Sequence, residues 1–146
     1  MNISQYIKDL CIDKNINIME LSNLVKIDNS LLYKYINENT LPTVNNLVKI
    51  ANFFDCTINY LVGLSDDPKQ YKFFNTFDKS LFFPRYYDLL NKHNISHYSL
   101  SKKFKLAKSS FLAWKKGAIP NLDTLYKIAE YFSVSIDYLV GRSDIK

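Results

Sequence analysis

The sequence contains an internal repeat, and this repeat limits the possible architecture more than any other feature. Thirteen of the 26 positions from 41 to 66 are identical to the positions 78 residues further on. Upstream of this stretch the register shifts by one residue, so that Leu21 pairs with Leu100, and the first copy carries one extra residue near position 39. We therefore expect two domains of the same fold, residues 1–66 (copy 1) and residues 82–146 (copy 2), joined by residues 67–81.

Both copies have the sequence pattern of short helices. Ile3, Ile7 and Leu10 follow the i, i+4, i+7 spacing of an amphipathic helix, and similar stripes recur along both copies. The chain has only 3 Gly and 4 Pro, too few for the many tight turns of a β-sandwich or β-barrel. The sequence predicts an all-α fold with five helices in each copy. Residues that cap helix N-termini precede most of the stripes: Asn17, Asp28, Thr43 and Thr57 in copy 1, and Ser96, Asn121 and Ser135 in copy 2.

The second and third predicted helices of each copy are separated by a short turn, at Lys26 in copy 1 and at Lys105 in copy 2. This order is a helix-turn-helix motif. Copy 2 contains LSKKF at 100–104, WKKGAIP at 114–120, LYKIA at 125–129 and VSIDYLVG at 134–141, and copy 1 has a similar series. In these segments the chain resembles the Cro and phage-repressor (XRE) family of helix-turn-helix transcriptional regulators. The resemblance implies two tandem five-helix, lambda-repressor-like DNA-binding domains joined by an aromatic-rich linker.

A few positions depart from the pattern of this family. Members usually place glycine in the turn between the second and third helices, where Lys26 and Lys105 stand, and we therefore expect an adjusted turn. Members also keep a glycine after the third helix. Copy 2 has Gly117 there, whereas copy 1 has Glu38 and the extra residue, so its loop is expected to be altered.

Positive charge is concentrated in copy 2. Residues 1–66 hold five lysines against seven acidic residues, whereas residues 83–146 hold eleven basic residues against five acidic ones. Between the start of the second helix and the end of the third, copy 2 has no acidic residue. The same stretch contains six lysines, at positions 102, 103, 105, 108, 115 and 116.

The resemblance implies where these residues meet DNA, because the third helix of this motif lies in the major groove and its neighbours contact phosphates. Contacts to base edges are predicted for Lys108, Ser109, Leu112 and Ala113 of copy 2. Contacts to phosphates are predicted for His97, Lys102, Lys103, Lys115, Lys116 and Gly117. The matching residues of copy 1 are Asn29, Ser30, Tyr33 and Lys34, and Asn29 can pair with adenine through two hydrogen bonds.

The linker, residues 67–81, is rich in aromatic residues rather than in Gly and Ser. Two arrangements account for these aromatic side chains: they fix the two copies into one rigid pair, or they form an oligomer contact. A rigid pair reads two half-sites about 34 Å apart. Otherwise copy 1 serves as a dimerisation or partner-binding module, and two chains bring two basic copies to a palindrome.

The sequence offers no support for an enzyme, a metal site or a cofactor. Cys11 and Cys56 have no ligand spacing and are expected in the core, and His93 and His97 have no ligating neighbours. There is no Gly-rich phosphate loop and no Ser-His-Asp order. There is also no apolar run of about 18 residues and no secretory signal. We therefore expect a cytoplasmic protein without a membrane segment.

The leading hypothesis is a sequence-specific regulator of transcription that binds double-stranded DNA and represses by occluding a promoter. The abundance of Lys, Asn, Ile and Tyr indicates an AT-rich prokaryotic or phage genome. The alternative is an antitoxin-like or antirepressor-like module that uses the helix-turn-helix fold to bind another protein. The acidic copy 1 favours this alternative, and the lysine cluster of copy 2 favours the first.

Overall fold

The computed structural model describes all 146 residues, which form ten α-helices, one short 3₁₀ helix and no strand. The chain divides into two compact units, Met1–Tyr71 (unit 1) and Lys72–Lys146 (unit 2). Each unit contains five α-helices, and this confirms the predicted all-α fold class. None of the helices combines the length and the apolar character that crossing a bilayer requires.

Unit 1 is built around the third of its helices. The first and second helices both pack against the third, and the second also packs against the fourth. Leu21, Leu32 and Leu47 are fully buried between them. The predicted caps Asn17, Asp28, Thr43 and Thr57 each accept a backbone N–H at the start of a helix. The helices are α1 (Ile3–Asp13), α2 (Ile18–Val25), α3 (Asn29–Asn37), α4 (Val44–Phe53) and α5 (Ile58–Leu61).

Unit 2 repeats this order around an aromatic core. The rings of Phe82 and Tyr86 lie 5.5 and 5.4 Å from the ring of Trp114, both edge to face. A 3₁₀ helix, Lys79–Leu81, precedes the first α-helix of the unit. The α-helices are α6 (Phe82–Lys92), α7 (His97–Phe104), α8 (Ser110–Lys115), α9 (Leu122–Phe132) and α10 (Ile136–Leu139).

Helix α8 has six residues, whereas its counterpart α3 has nine. The carboxylate of Asp28 accepts the N–H groups of Ser30 and Leu31 at 3.0 and 3.3 Å and so starts α3 early. Ala107 occupies the matching position in unit 2 and has no side-chain oxygen. There the N–H of Ser110 donates to the carbonyl of Ala107 at 3.1 Å, which closes a tighter, 3₁₀-type turn ahead of α8.

In both helix-turn-helix motifs one residue of the turn takes the left-handed backbone conformation, although this residue is a lysine and not a glycine. Lys26 has φ 56° and ψ 48°, and Lys105 has φ 55° and ψ 46°. In both units the lysine N–H donates to the carbonyl of the serine four residues earlier. The prediction of an adjusted turn was therefore wrong, because both lysines accept a conformation that costs a side chain about 1–2 kcal/mol.

The loop after the third helix differs between the units, as the sequence predicts. In unit 2, Gly117, the second residue after α8, takes a positive φ of 109°. In unit 1, Glu38 keeps a negative φ and the next residue, Asn39, takes the positive φ of 54°. The extra residue of copy 1 thus moves the left-handed position to an asparagine, which tolerates it better than most side chains.

Most of the aromatic linker is ordered against the C-terminal end of unit 2. The N–H groups of Phe74 and Asp78 donate to the carbonyls of Arg142 and Val140 at 2.7 and 2.9 Å. A Cβ atom on Gly141 would lie only 2.6 Å from the carbonyl oxygen of Asp78, so this approach requires glycine.

A fully buried ion pair joins α10 to the segment that follows it in unit 2. The Nη1 atom of Arg142 lies 2.7 Å from Oδ1 of Asp137, and neither side chain is exposed. The Arg142 guanidinium also lies 4.4 Å from the ring centre of Phe73, which anchors the linker. The repeat places Asn59 and Leu64 at the matching positions of unit 1.

A glycine in place of the left-handed Lys105 is expected to stabilise unit 2. Lys105→Gly should raise the free energy of unfolding by about 1 kcal/mol, because glycine adopts positive φ without a Cβ clash. Lys102→Gly removes the same charge from inside α7 and should lower the free energy by about 1 kcal/mol. Trp114 is the single tryptophan, so its fluorescence during urea denaturation reports unit 2. Equal signs for the two variants would contradict this account of the turn.

Removal of one partner of the buried ion pair is expected to be costly. Arg142→Leu leaves the Asp137 carboxylate buried without its charge partner and should lower the free energy of unfolding by about 3 kcal/mol. The double variant Asp137→Asn with Arg142→Leu reproduces the pair found in unit 1 and should recover most of this loss. Urea denaturation followed by Trp114 fluorescence measures both, and additive losses in the double variant would contradict the prediction.

Candidate nucleic-acid interface

Buried aromatic residues fix the orientation of α8. Trp114 is buried, and Phe111 packs on Phe83 with ring centres 5.2 Å apart. The residues between and after these two anchors therefore point away from the core. The structure leaves Leu112, Ala113, Lys115 and Lys116 exposed, together with Lys108 and Ser109 ahead of the helix.

The six lysines predicted to surround this helix are all exposed, and none of them forms a salt bridge. Two of them lie over aromatic rings, Lys102 at 4.5 Å from the ring centre of Tyr98 and Lys103 at 4.9 Å from that of Tyr131. A cation over a ring keeps its charge. The surface of α7, the turn and α8 is therefore positive, with no carboxylate paired to its lysines.

Two of the residues predicted to contact base edges, Lys108 and Ser109, precede the third helix. By analogy with α3 they would lie in its first turn, but α8 begins only at Ser110. The physical reason is the missing cap at Ala107 described above. Both residues remain exposed in the tight turn at the N-terminal end of α8.

Two other residues predicted to contact phosphates, Gly117 and His97, form hydrogen bonds within unit 2. The N–H of Gly117 donates to the carbonyl of Trp114 at 3.1 Å. The ring of His97 is half-buried, and its Nδ1 atom lies 2.8 Å from the hydroxyl oxygen of Tyr86. Burial lowers the pKa of His97 below its usual value, which favours the neutral ring. In this structure His97 holds α7 against α6 and α8, since its ring also packs on Phe111 and Trp114.

The matching surface of unit 1 has a different charge. Asn29, Tyr33 and Lys34 are exposed, but the hydroxyl of Ser30 donates to the carboxylate of Asp28. The hydrogen bond from the Ser30 side chain, followed by those from backbone N–H groups, lowers the pKa of Asp28. The start of α3 therefore carries a fixed negative charge where unit 2 has the methyl group of Ala107.

Five of the six lysines around α7 and α8 have no lysine at the matching position of unit 1, and the exception is Lys105, which matches Lys26. By the repeat register, Lys103, Lys108, Lys115 and Lys116 correspond to Leu24, Asn29, Ile36 and Asn37. Ile36 is buried, whereas Lys115 is exposed. The two units thus share a fold but not a surface.

Tyr98, which is 66% exposed at the second position of α7, is not among the residues predicted from the sequence. Its i, i+4 spacing to Lys102 was the signal that could have revealed it. Ile12 and Met19 of unit 1, which are also largely exposed, are not among the predicted residues either. These two residues lie on different helices, so no local pattern brings them together.

Comparison with known protein families agrees with this geometry. Residues 5–66 match the model of a helix-turn-helix domain. Residues 88–144 match the model of a Cro/C1-type HTH DNA-binding domain. The chain matches no curated protein and no solved structure. The fold and these matches define a DNA-binding regulator of the helix-turn-helix class. Within that class the chain is a Cro/C1-type protein with two helix-turn-helix domains.

The burial of His97 predicts a pH dependence for the stability of unit 2. The folded state binds a proton on His97 less readily than the unfolded state, so stability is lost as the pH falls below about 6.5. We expect a lower urea midpoint at pH 5.5 than at pH 7.5 by Trp114 fluorescence. His97→Gln should reduce this difference, whereas His93→Gln, which retains His97, should preserve it. An unchanged pH dependence in His97→Gln would contradict the assignment.

Proposed function

We propose that the protein is a cytoplasmic transcriptional repressor that reads a specific double-stranded DNA sequence through unit 2. The observation that carries this proposal is the set of six exposed lysines around α7 and α8, none of them paired with a carboxylate. Neutralising phosphates with such lysines releases counterions and supplies affinity. Repression requires only that a promoter be occupied, whereas activation needs a further contact with the polymerase.

The residues of this surface divide into two roles. Lys102 and Lys103 lie on α7, and Lys115 and Lys116 lie at the C-terminal end of α8. These four lysines suit phosphates on either side of the groove. Residues at the start and on the outward face of α8 suit base edges. Lys108 and Ser109 can donate hydrogen bonds, and Leu112, 55% exposed, can contact a thymine methyl group together with Ala113.

A second candidate function is that of a protein-interaction module, and unit 1 is the observation that favours it. The ionised Asp28 caps its third helix, which has no lysine at the positions that match Lys108, Lys115 and Lys116. A carboxylate at this position repels DNA phosphates. In this alternative, an antitoxin-like or antirepressor-like protein binds its partner through unit 1, and binding persists when the lysines of unit 2 are neutralised.

The proposed reader is tested by a fluorescence-anisotropy titration of AT-rich duplexes at low and moderate salt. The triple variant Lys108→Ala, Lys115→Ala, Lys116→Ala should bind about 100-fold more weakly, at about 1 kcal/mol per lost contact. For this variant, the slope of log affinity against log salt concentration should be less negative by about 1.8, because two phosphate contacts are lost.

The control for this titration is the triple variant Lys72→Ala, Lys79→Ala, Lys146→Ala, which removes the same charge from positions outside α7 and α8. It should retain nearly all of the affinity. Equal losses of DNA affinity in the two triple variants would indicate a general charge effect. They would contradict the proposal that the surface around α8 binds DNA. A wild-type protein that binds no duplex would contradict the repressor proposal itself.

A further inference from the structure

Unit 2 has a hydrogen-bonded polar pair at a position where unit 1 has two apolar residues. The hydroxyl oxygen of Tyr86 on α6 lies 2.8 Å from Nδ1 of His97, the first residue of α7. The repeat register places Ile7 and Ile18 at these two positions of unit 1. Ile7 is fully buried, and unit 1 packs the same helices around it, so the fold does not require the polar pair. Burial of a hydroxyl has a desolvation cost that isoleucine avoids, which favours a functional role for the pair.

The surroundings of Tyr86 determine which group donates in this hydrogen bond. The Tyr86 side chain is fully buried, and the His97 ring is the hydrogen-bond partner of its hydroxyl. Burial raises the pKa of Tyr86 above its usual value, so the hydroxyl keeps its proton. If Nδ1 donated, this proton would be buried without an acceptor, at the desolvation cost of an unmade hydrogen bond. Tyr86 therefore donates, Nδ1 accepts, and the neutral ring of His97 carries its proton on Nε2.

The protonated nitrogen of the neutral His97 ring is accessible to solvent. Nε2 forms no hydrogen bond within the chain, and every buried side-chain nitrogen or oxygen has a partner, so Nε2 is not buried. The ring centre lies 4.9 Å from that of Phe111, the residue before the exposed Leu112 on α8. The ring contacts on α6 and α8 are Tyr86, Phe111 and Trp114, none of which carries a charge. The Nε2–H group is therefore a neutral donor next to the positive surface of α7 and α8.

His93, the other histidine of the chain, has the opposite arrangement. Its Nδ1 lies 3.0 Å from the carbonyl oxygen of Leu89, which can accept a hydrogen bond but cannot donate one. The neutral ring of His93 therefore carries its proton on Nδ1, whereas the neutral ring of His97 carries it on Nε2. The chain thus contains its own reference for a measurement of the tautomer.

We propose that Tyr86 is a positioning residue for DNA binding: its hydroxyl fixes His97 in the Nε2–H tautomer, and His97 donates a hydrogen bond to a DNA phosphate. This inference rests on the proposed function, because it requires unit 2 to bind a duplex. Phosphate oxygens accept hydrogen bonds, so the other tautomer would turn the lone pair of Nε2 towards them. The lysines of this surface supply charge, whereas the imidazole supplies one directed hydrogen bond that places the start of α7 on the DNA backbone.

NMR of the full chain with isotope-labelled histidine nitrogens, at pH 8 and without DNA, tests the tautomer. The shifts of the two ring nitrogens distinguish the Nδ1–H from the Nε2–H form. The wild type should show Nε2–H for His97 and Nδ1–H for His93. Tyr86→Phe should shift His97 towards a mixture of tautomers and leave His93 unchanged. The matched control Tyr35→Phe removes another buried hydroxyl, which accepts a hydrogen bond from Asn46, and should change neither histidine.

A fluorescence-anisotropy titration with a duplex that the wild type binds tests the phosphate contact. His97→Ile, which introduces the residue of the matching position in unit 1, should weaken binding about tenfold, and Tyr86→Phe about threefold. His97→Gln keeps an amide donor on a side chain of similar reach and should lose less affinity than His97→Ile. In the His97→Ile background, Tyr86→Phe should cost no further affinity, because Tyr86 acts through His97. Tyr35→Phe should bind like the wild type, and Trp114 fluorescence verifies that each variant is folded.

The results separate this inference from the proposed function. A wild type that binds no duplex contradicts the proposed function and, with it, the phosphate contact. An Nδ1–H tautomer of His97 in the wild type, or an unchanged tautomer in Tyr86→Phe, would overturn the role of Tyr86 whether or not DNA binds. Wild-type affinity in His97→Ile would overturn the phosphate contact and leave the repressor proposal intact. A further loss from Tyr86→Phe in the His97→Ile background would show that Tyr86 acts through the fold, and this too would overturn the inference.

Discussion

Burial of one aromatic side chain in the third helix of each unit determines which residues that helix presents to its surroundings. Trp114 packs edge to face against Phe82 and Tyr86 in unit 2. Tyr35 is buried in unit 1, and its hydroxyl accepts a hydrogen bond from Asn46 at 2.9 Å. Rotation of the helix would expose this aromatic surface to water at a cost of several kcal/mol. The outward face is therefore fixed, and its chemistry can change without affecting the fold.

The two copies illustrate this separation between fold and surface. Ala107 in place of Asp28 shortens α8, and it also removes a negative charge from the end of the helix that approaches DNA in this motif. Lys115 in place of Ile36 exchanges a buried apolar contact for an exposed charge. Each exchange weakens local packing or capping in unit 2 and improves its electrostatic fit to a polyanion. In unit 1, Asp28 gives α3 a better cap and Ile36 contributes to an apolar groove.

Local features of the fold could be predicted from the sequence, and features formed by distant residues could not. The repeat and the caps at Asn17 and Asp28 are local, and the structure confirms them. The turn at Lys105 was expected to be adjusted, and this was wrong. The surrounding helices impose a left-handed conformation that lysine does not favour. The contact between Arg142 and Phe73, and the groove that joins Ile12 to Met19, depend on tertiary structure. No spacing rule reveals residues that approach only after helices pack.

Amide hydrogen exchange of the full chain, with and without an AT-rich duplex that it binds, tests most directly whether unit 2 alone reads DNA. We expect the duplex to slow exchange in α7 and from Lys108 to Gly117. Exchange in α3, Asn29–Asn37, should be the same with and without the duplex. A comparable slowing in α3, or none in α8, would contradict the division of roles between the two units.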